Sequence, residues 1–440
     1  MPTRAKAWLG FGIAMNLVYL GWFKYALFFA TTLHTALGTA VPQFLSQIVL
    51  PLGISFFTFT QIAFLVDTWE DHSERPPFTS YLLFVTYFPH LIAGPIMHHK
   101  EMMPQFNSLL QRLPNLENLG IGLSIFTIGL AKKMLIADSV ASYSDRVFAA
   151  AVGPAQISFF EGWCAALSYT VQIYFDFSGY SDMAIGLSYM LGIQLPFNFN
   201  SPYKAGSIID FWRRWHISLS RFLRDYLYIR LGGNRKGAFR RFLNLLTTML
   251  LGGLWHGAGW TFVIWGGLHG TYLIINHLWR SYIPKANQSI TRKLLSGALT
   301  FMAVVIAWIF FRAPDVDVAL NILSSMYGAN GFDLPIRVGA WLKTSPTSLV
   351  RFDGISPNGL IDNWAFLEVA IALLITWTMP NIQQIFKHQQ IGLGIVDYIR
   401  GWAMRLIWRP NLAWAAGLGG IAAFALFYTR GTNQFLYFNF

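Results

Sequence analysis

Long apolar stretches recur along the chain, and polar or charged segments separate them. A helix that crosses a membrane needs about 20 mostly apolar residues. Candidate spans lie at roughly 7–30, 47–66, 79–96, 119–137, 157–175, 180–196, 241–256, 260–279, 294–311, 364–380 and 412–429. The first stretch is longer than the apolar core of a secretory signal peptide, and no small-residue cleavage site follows it, so it is predicted to be the first span. The pattern predicts an all-α integral membrane protein.

The composition agrees with this prediction. Hydrophobic residues make up 54% of the 440 residues and charged residues only 12%, whereas soluble domains carry about 25% charged residues. The single cysteine, Cys164, excludes an internal disulfide framework and a cysteine-rich metal site. The net charge of +12 does not indicate a nucleic-acid partner, because spans flank the basic patches and basic residues accumulate in cytoplasmic loops.

The basic loops predict the orientation of the chain in the membrane. Segment 203–241 holds Lys204, Arg213, Arg214, Arg221, Arg224, Arg230, Arg235, Lys236, Arg240 and Arg241. We therefore expect it on the cytoplasmic side, with the turn of the following hairpin, near Gly257–Gly259, outside. The next span then leaves 313–363 as an external loop, and the C-terminus also lies outside. The acidic loop 67–78 fits this orientation poorly. Counting the spans places it on the cytoplasmic side, where basic residues are expected.

The segment 209–230 is predicted to be an amphipathic interfacial or re-entrant helix rather than a span. Arginines alternate there with Trp, Phe, Leu and Tyr, and the breaker cluster Gly232-Gly233-Asn234 follows. Within it, His216 follows Arg213 and Arg214. These arginines are candidates for binding the phosphates of a cofactor or substrate from the cytoplasm. An interfacial helix that touches lipid head groups explains the same residues equally well.

His256 stands in the run GLWHGAGW at the deep end of an apolar stretch. A neutral imidazole can accept a proton from an attacking hydroxyl, and the neighbouring glycines allow a ligand to approach closely. A lone buried histidine is more often structural and bonded to a backbone carbonyl, so both interpretations stay open from the residues alone. His269, in GGLHG, fits the structural interpretation better.

Two carboxylates, Asp176 and Asp182, interrupt the apolar run 172–182. Ionisable groups at membrane depth are costly and usually functional, so these could orient a substrate or form a buried pair. The alternative is a helix break, with Asp176 or Ser181 capping the next helix. His98 and His99 are expected to point apart on a helix without a nearby carboxylate triad, so no metal site is expected.

Five ordered motifs resemble the membrane-bound O-acyltransferase family over nearly the whole chain. They are LPLGISFFTF, FPHLIAGPI, YFDFSGYSDMAIG, SPYKAGSIIDFWRRWHISLSRFLRDYLYIRLGGNRKG and GGLWHGAGWTFVIWGGLHG. The similarity is greatest to the bacterial branch that includes the membrane subunit of alginate O-acetylation. Members of this branch usually carry further hydrophobic helices before the stretch at which this chain starts.

The resemblance implies a single domain over 1–440, with a ring of about 11 transmembrane helices around a central funnel and a catalytic core at about 160–280. It implies His256 as the catalytic histidine and His216 as a second catalytic position. The candidates for substrate binding are Arg213, Arg214, Trp255, Asp176 and Tyr437. No bound cofactor is expected, and acetyl-CoA is the expected acyl donor. The C-terminal QFLYFNF resembles the aromatic tail of this branch; Tyr437 could receive or guide the acyl group, or the tail could be an aromatic interface anchor.

These features together predict a transferase in the bacterial inner membrane. It would move acetyl groups from cytoplasmic acetyl-CoA across the membrane for O-acetylation of a cell-envelope or secreted polysaccharide, with membrane lipids around it and an extracytoplasmic partner protein. A channel or flippase without chemistry is the rival from another class, although a pore needs no base at His256. Acylation of a lipid or protein is a third possibility.

Overall fold

Helices make up most of the chain, as the apolar stretches predict. The computed structural model describes residues 2–70, 77–91, 94–109, 115–282, 289–334, 337–338, 347, 350–394, 401–428 and 435–436. The α-helices are α1 Pro2–Leu20, α2 Ala26–Leu37, α3 Ile54–Glu70, α4 Phe78–Thr86, α5 His99–Leu109, α6 Leu116–Ala131, α7 Asp138–Ala150, α8 Phe159–Met190, α9 Ile208–Trp212, α10 Ile217–Phe222, α11 Gly237–His256, α12 Trp260–Tyr282, α13 Ile290–Arg312, α14 Val316–Tyr327, α15 Ala365–Thr378, α16 Ile382–Ile385 and α17 Leu412–Phe427.

Shorter elements join these helices. Three π-helical segments, Gly21–Tyr25, Lys132–Ala137 and Leu223–Tyr228, continue α1, α6 and α10 respectively. Short 3₁₀ helices cover Gln43–Gln47, Phe88–His90, Pro202–Lys204 and Gly401–Leu406. The strands β1 Phe332–Asp333 and β2 Val350–Arg351 pair in parallel within the predicted external loop. There the Arg351 guanidinium Nε donates to Asp333 Oδ1 at 2.7 Å.

Three helical stretches are long and apolar enough to cross a membrane by length and composition. They are Arg4–Leu37, Leu116–Ala150 and Ile290–Arg312. α15 and α17 are apolar but shorter. The first two stretches each include a π segment, because α1 runs into α2 and α6 runs into α7 without a loop.

Several predicted boundaries are wrong. The stretches 157–175 and 180–196 are one helix, α8, which runs for 32 residues without a break. Its carboxylates do not interrupt it, since they have partners on another helix. The predicted span 79–96 is helical only as α4 and then turns into a 3₁₀ segment. The predicted helix 209–230 is two short helices separated at His216.

α8 lies at the centre of the fold and is buried along most of its length. A capping box defines its first turn, and glycines on its surface allow another helix to pack closely against it. Ser158 and Glu161 form a capping box, in which each side chain accepts the other residue's backbone N–H. α8 then packs against α6 through paired glycines. A Cβ on Gly129 would lie 2.6 Å from the Gly179 carbonyl, and one on Gly122 would lie 2.5 Å from the Gly186 carbonyl. Small residues at such positions let helix backbones approach closely, as at membrane helix interfaces.

α11 and α12 form the predicted hairpin, with the turn at Gly257–Gly259 between them. Glycines again allow the close contact. A Cβ on Gly253 would lie 2.2 Å from the Phe262 carbonyl oxygen, and one on Gly266 would lie 2.3 Å from the Met249 carbonyl oxygen. The hairpin therefore holds the end of α11, and with it His256, against the start of α12.

The acidic end of α3 has partners in the basic segment 203–241. Glu70 lies 2.5 Å from Arg230, and the Tyr226 hydroxyl donates to Asp67 at 2.6 Å. Arg221 makes a similar pair with Glu101 at 2.6 Å. These contacts place the acidic end of α3 beside the basic segment, so its charge does not conflict with a position on the same side.

Candidate active site

His256 and His216 lie next to each other in the interior, with ring centroids 6.4 Å apart. His256 is 3% exposed and His216 is fully buried. They come from two different motifs and are 40 residues apart in the sequence, so the fold brings together the two catalytic residues that the family resemblance implies. The arrangement places two imidazoles within one buried pocket of aromatic side chains.

His256 is the last residue of α11. Its ring packs edge-to-face against Trp265 on α12 and Phe311 on α13, each with ring centroids 5.1 Å away. Lys24 and Tyr25 of the first helical stretch hydrogen-bond the backbone at this helix end. We did not predict these two residues. The signal was a lysine inside the apolar run 7–30, since a charge at membrane depth usually has a function.

His216 occupies the break between α9 and α10, with φ 42° and ψ 56°. This left-handed conformation is uncommon for a residue with a Cβ. Neighbouring hydrogen bonds hold it: the Ile217 N–H donates to the Asn198 carbonyl at 2.9 Å, and the Ser218 hydroxyl donates to Asn198 Oδ1 at 2.6 Å. The turn directs the imidazole against Phe177 of α8, at a centroid distance of 4.7 Å.

Trp255 lies between the two histidines and the α3 helix. Its ring stacks on Phe59 at 4.8 Å, and its indole N–H donates to the Ser55 carbonyl at 3.4 Å. The centroid of His216 lies 6.4 Å from that of Trp255. Trp255 therefore forms a wall of the pocket and ties the end of α11 to α3.

The two candidate arginines differ in their surroundings. Arg214 is half-buried; its Nε donates to Asp210 at 2.9 Å and its Nη1 donates to the Asn200 carbonyl at 3.2 Å. Arg213 is exposed. The arginine that precedes His216 by two residues therefore supports the local fold, and Arg213 is the one that faces outward.

His269 lies within α12, the second helix of the hairpin, and is fully buried. The Trp212 indole N–H donates to its Nδ1 at 3.3 Å. Its ring also packs against Trp265 at a centroid distance of 4.8 Å. This contact joins α9 to α12, in agreement with the structural role expected for His269.

Asp176 lies in the middle of α8 and neither breaks the helix nor caps one. Its carboxylate pairs with Lys133 at 2.8 Å, and Lys133 also contacts Asp138 at 2.7 Å. The neighbouring Lys132 pairs with Asp182 at 2.6 Å. The π segment Lys132–Ala137 thus supplies adjacent lysines to both buried carboxylates of α8. The helix-break interpretation of Asp176 and Asp182 is therefore wrong.

Two residues of the C-terminal tail reach this cluster. The Leu436 N–H donates to Asp176 Oδ2 at 3.0 Å, and the Phe435 ring lies 5.0 Å from Lys133 Nζ. Phe435 also packs edge-to-face against Tyr180 at 5.0 Å. Tyr437, the substrate-binding candidate of the tail, lies outside the described residues.

A cavity of about 480 Å³ opens beside the tail and the hairpin turn. Its lining includes Leu436, Gly259 in the turn and Pro314 at the start of the predicted external loop. The orientation predicted from the basic loops would place all three on the outer side. Phe311 lines it as well and packs edge-to-face against the His256 ring. A cavity with polar lining groups therefore shares one aromatic ring, Phe311, with the surroundings of His256.

His98 and His99 do not point apart as expected. Both imidazole Nδ1 atoms approach Asp67 Oδ2, at 3.7 Å and 3.4 Å. His98 also lies 3.0 Å from the Tyr226 hydroxyl. Within the described part of the chain no group of His, Cys, Asp and Glu side chains has the arrangement of a metal site. This polar cluster instead joins α3 and α5 to the basic segment.

Comparison with known proteins finds relatives that agree with the family resemblance seen in the sequence motifs. A model of the membrane-bound O-acyltransferase family matches residues 7–312. The peptidoglycan O-acetyltransferase of Helicobacter pylori is 45% identical over 99% of this chain and 82% of its own length. The probable alginate O-acetylase of Pseudomonas aeruginosa is 43% identical over 75% of this chain and 62% of its own length. The teichoic acid D-alanyltransferase of Bacillus subtilis is 27% identical over 53% of this chain and 60% of its own length.

Proposed function

Because the chain belongs to the membrane-bound O-acyltransferase family, we propose that it acetylates a cell-envelope or secreted polysaccharide. It takes the acetyl group from acetyl-CoA on the cytoplasmic side and delivers it across the inner membrane through an extracytoplasmic partner protein. The O-acetyltransferase relatives named for peptidoglycan and alginate support a polysaccharide acceptor. The proposed architecture is a single multi-pass domain over 1–440, with about 11 spans around a funnel, a catalytic core at 160–280 and an external loop at 313–363.

The position of His256 between two sides of the site carries this proposal. Through Phe311 it borders the outer cavity. His216, whose ring centroid lies 6.4 Å from that of His256, belongs to the basic segment predicted to face the cytoplasm. A group in this position can reach a donor from one side and an acceptor from the other.

The proposed chemistry is acyl transfer with His256 as general base. Its neutral imidazole accepts the proton of the acceptor hydroxyl while the hydroxyl oxygen attacks the thioester carbonyl. The C–S bond then breaks, the acetyl group stays on the acceptor oxygen as an ester, and the departing thiolate takes the proton from the imidazolium. His216 lines the path between donor and base. The aromatic walls exclude water, which would otherwise hydrolyse the thioester.

The donor side draws on the basic segment. Arg213 is exposed and free to approach the phosphates of CoA, for which a guanidinium supplies paired donors. Arg214, with Asp210 on its Nε, holds the turn that carries His216. The proposal therefore assigns phosphate binding to Arg213 and support of the turn to Arg214.

The acceptor side draws on the outer cavity. Gln172, Lys133, Thr261 and Arg312 contribute polar groups to its lining. Among the described residues, Gln172 Oε1 has no hydrogen-bond partner although it is buried. The Gln172 amide can accept a hydrogen bond from, or donate one to, a hydroxyl group of the acceptor.

The tail offers a route for the acetyl group. The Leu436 backbone N–H donates to Asp176, and Leu436 lines the cavity. Tyr437 is the next residue in the sequence, and its phenol is the group proposed to accept or guide the acyl group. Substituting Tyr437→Phe removes the hydroxyl and keeps the aromatic ring. We expect this variant to lose transfer to the partner while it still binds membranes. Unchanged transfer would leave the tail as an interface anchor.

The direct test uses purified protein in detergent with radiolabelled acetyl-CoA and measures release of free CoA and transfer of label. Wild type should do both, and His256→Ala should do neither at equal protein level and equal acetyl-CoA binding. If wild-type protein binds acetyl-CoA but never cleaves the thioester, the chain is a channel or flippase. If label ends on a lipid or on another protein rather than on a polysaccharide, the acceptor class is wrong.

A further inference from the structure

The end of α11 leaves backbone carbonyls that the helix itself cannot satisfy. The last four carbonyls of any α-helix lack an intrahelical donor. In α11 these belong to residues 253–256, and the turn supplies a donor to only the first of them, from the Gly257 N–H to the Gly253 carbonyl at 3.4 Å. The carbonyls of Leu254, Trp255 and His256 need donors from elsewhere, and both Trp255 and His256 are buried.

Two adjacent residues of a distant helix supply all three donors. The Tyr25 hydroxyl donates to the Leu254 carbonyl at 2.8 Å. The Lys24 ammonium donates to the Trp255 carbonyl at 2.6 Å and to the His256 carbonyl at 3.0 Å. Its third proton goes to the Ser55 hydroxyl at 3.1 Å. An ammonium has three donors, and all of them are used here.

The local backbone explains how neighbouring side chains serve one helix end. Lys24 and Tyr25 lie in the π segment Gly21–Tyr25 between α1 and α2. A π segment changes the angle between successive side chains, and such segments recur at functional sites. Lys24 is buried. A buried ammonium is expensive unless it is paired, and here its counterpart is the negative end of the α11 dipole rather than a carboxylate.

We infer that Lys24, assisted by Tyr25, is a positioning residue that fixes the end of α11 and thereby the imidazole of His256 in its reactive place. This inference rests on the proposed role of His256. Lys24 does not touch the reacting atoms; it acts through the backbone of Trp255 and His256. A shift of about 1 Å in a reacting group can reduce a rate about a hundredfold, so the turnover number is the sensitive quantity.

The test compares Lys24→Met, Lys24→Arg and Tyr25→Phe with wild type. Methionine keeps the length of the side chain but supplies no donor, arginine keeps charge and donors, and phenylalanine removes one hydrogen bond without removing a charge. Purified proteins are assayed for kcat and KM with acetyl-CoA and for thermal melting in detergent. We expect kcat to fall at least tenfold in Lys24→Met with KM within twofold, to recover largely in Lys24→Arg, and to fall about threefold in Tyr25→Phe.

A kcat within twofold of wild type in Lys24→Met would overturn the inference. If Lys24→Met does not fold, Tyr25→Phe decides: a lower kcat at unchanged KM and melting temperature supports positioning, and an unchanged kcat contradicts it. His256→Ala is assayed in parallel. Activity in His256→Ala would defeat the proposed function itself, whereas inactive His256→Ala with fully active Lys24→Met would defeat only the positioning role.

Discussion

His256 and His216 lie 6.4 Å apart, yet the chain holds them in opposite ways. His256 ends a helix of 20 residues, and that helix end is held by the Lys24 side chain of the π segment Gly21–Tyr25 and by the Ser55 carbonyl of α3. His216 lies in a short left-handed turn, and Asn198, 20 residues before Ser218, accepts hydrogen bonds from the two residues that follow His216. Contacts from about 200 residues away or more therefore hold His256, whereas His216 depends on its own left-handed backbone and on a nearer part of the chain.

This difference predicts where each histidine is vulnerable. Substitutions far from His256 in sequence can displace it, because one of its anchors, Lys24, is 231 residues away from Trp255, whose carbonyl it binds. The place of His216 is sensitive mainly to what the left-handed turn tolerates. Each of the following variants tests one side of the comparison.

Of the three changes that follow, the largest effect is expected for His216→Asn. Asparagine tolerates the left-handed conformation better than most residues, so the turn should survive while the imidazole is lost. If the imidazole acts in the reaction, activity should fall about a hundredfold, within the range of side-chain acid–base effects. Acetyl transfer and thermal melting are measured together. Activity within threefold of wild type would mean that residue 216 matters only for the backbone turn.

A smaller effect is expected for Gly266→Ala, which presses α12 against α11. The added Cβ would lie 2.3 Å from the Met249 carbonyl, whereas a Cβ on the neighbouring Gly267 would lie 3.6 Å from Leu250 Cδ2. Overpacking of this kind costs about 1–3 kcal/mol or more. Gly266→Ala should lower the melting temperature and the activity, and Gly267→Ala should change neither. Equal behaviour of the two variants would contradict the close contact in the hairpin.

The smallest effect is expected at the edge of the His216 segment, where Arg230 pairs with Glu70. Both side chains are more than a third exposed, at 46% and 38%. Exposed ion pairs contribute about 0.2–1 kcal/mol, and salt screens them. A double-mutant cycle with Arg230→Met and Glu70→Gln should therefore give a coupling energy below about 1 kcal/mol that declines with salt. A larger, salt-independent coupling would show that this edge lies inside the bilayer.

The sequence predicted the parts of this protein that depend on local pattern. The hairpin turn near Gly257–Gly259 is where it was expected, since an apolar run ends there in glycines. The membrane character and the helical class follow from composition and stretch length. The family resemblance, rather than the residues alone, identified His256 and His216, because an isolated histidine in an apolar run is usually structural.

The errors concern partners that lie far apart in the sequence. Asp176 and Asp182 suggested a helix break because a carboxylate in an apolar run is costly without a partner, and their partners, Lys133 and Lys132, lie on another helix more than 40 residues earlier. Lys24 was overlooked for the same reason, since its acceptors are the backbone carbonyls of a distant helix end. Periodicity within one segment carries no record of such pairs.

The most direct test of the account is a comparison of two histidines in one hairpin. His256→Gln and His269→Gln make the same change at two buried positions on α11 and α12. Polymer acetylation is measured in cells with matched amounts of each variant in the membrane. The account predicts that His256→Gln abolishes acetylation and that His269→Gln retains most of it. Acetylation by His256→Gln, or an equal loss in both variants, would contradict a catalytic role for His256.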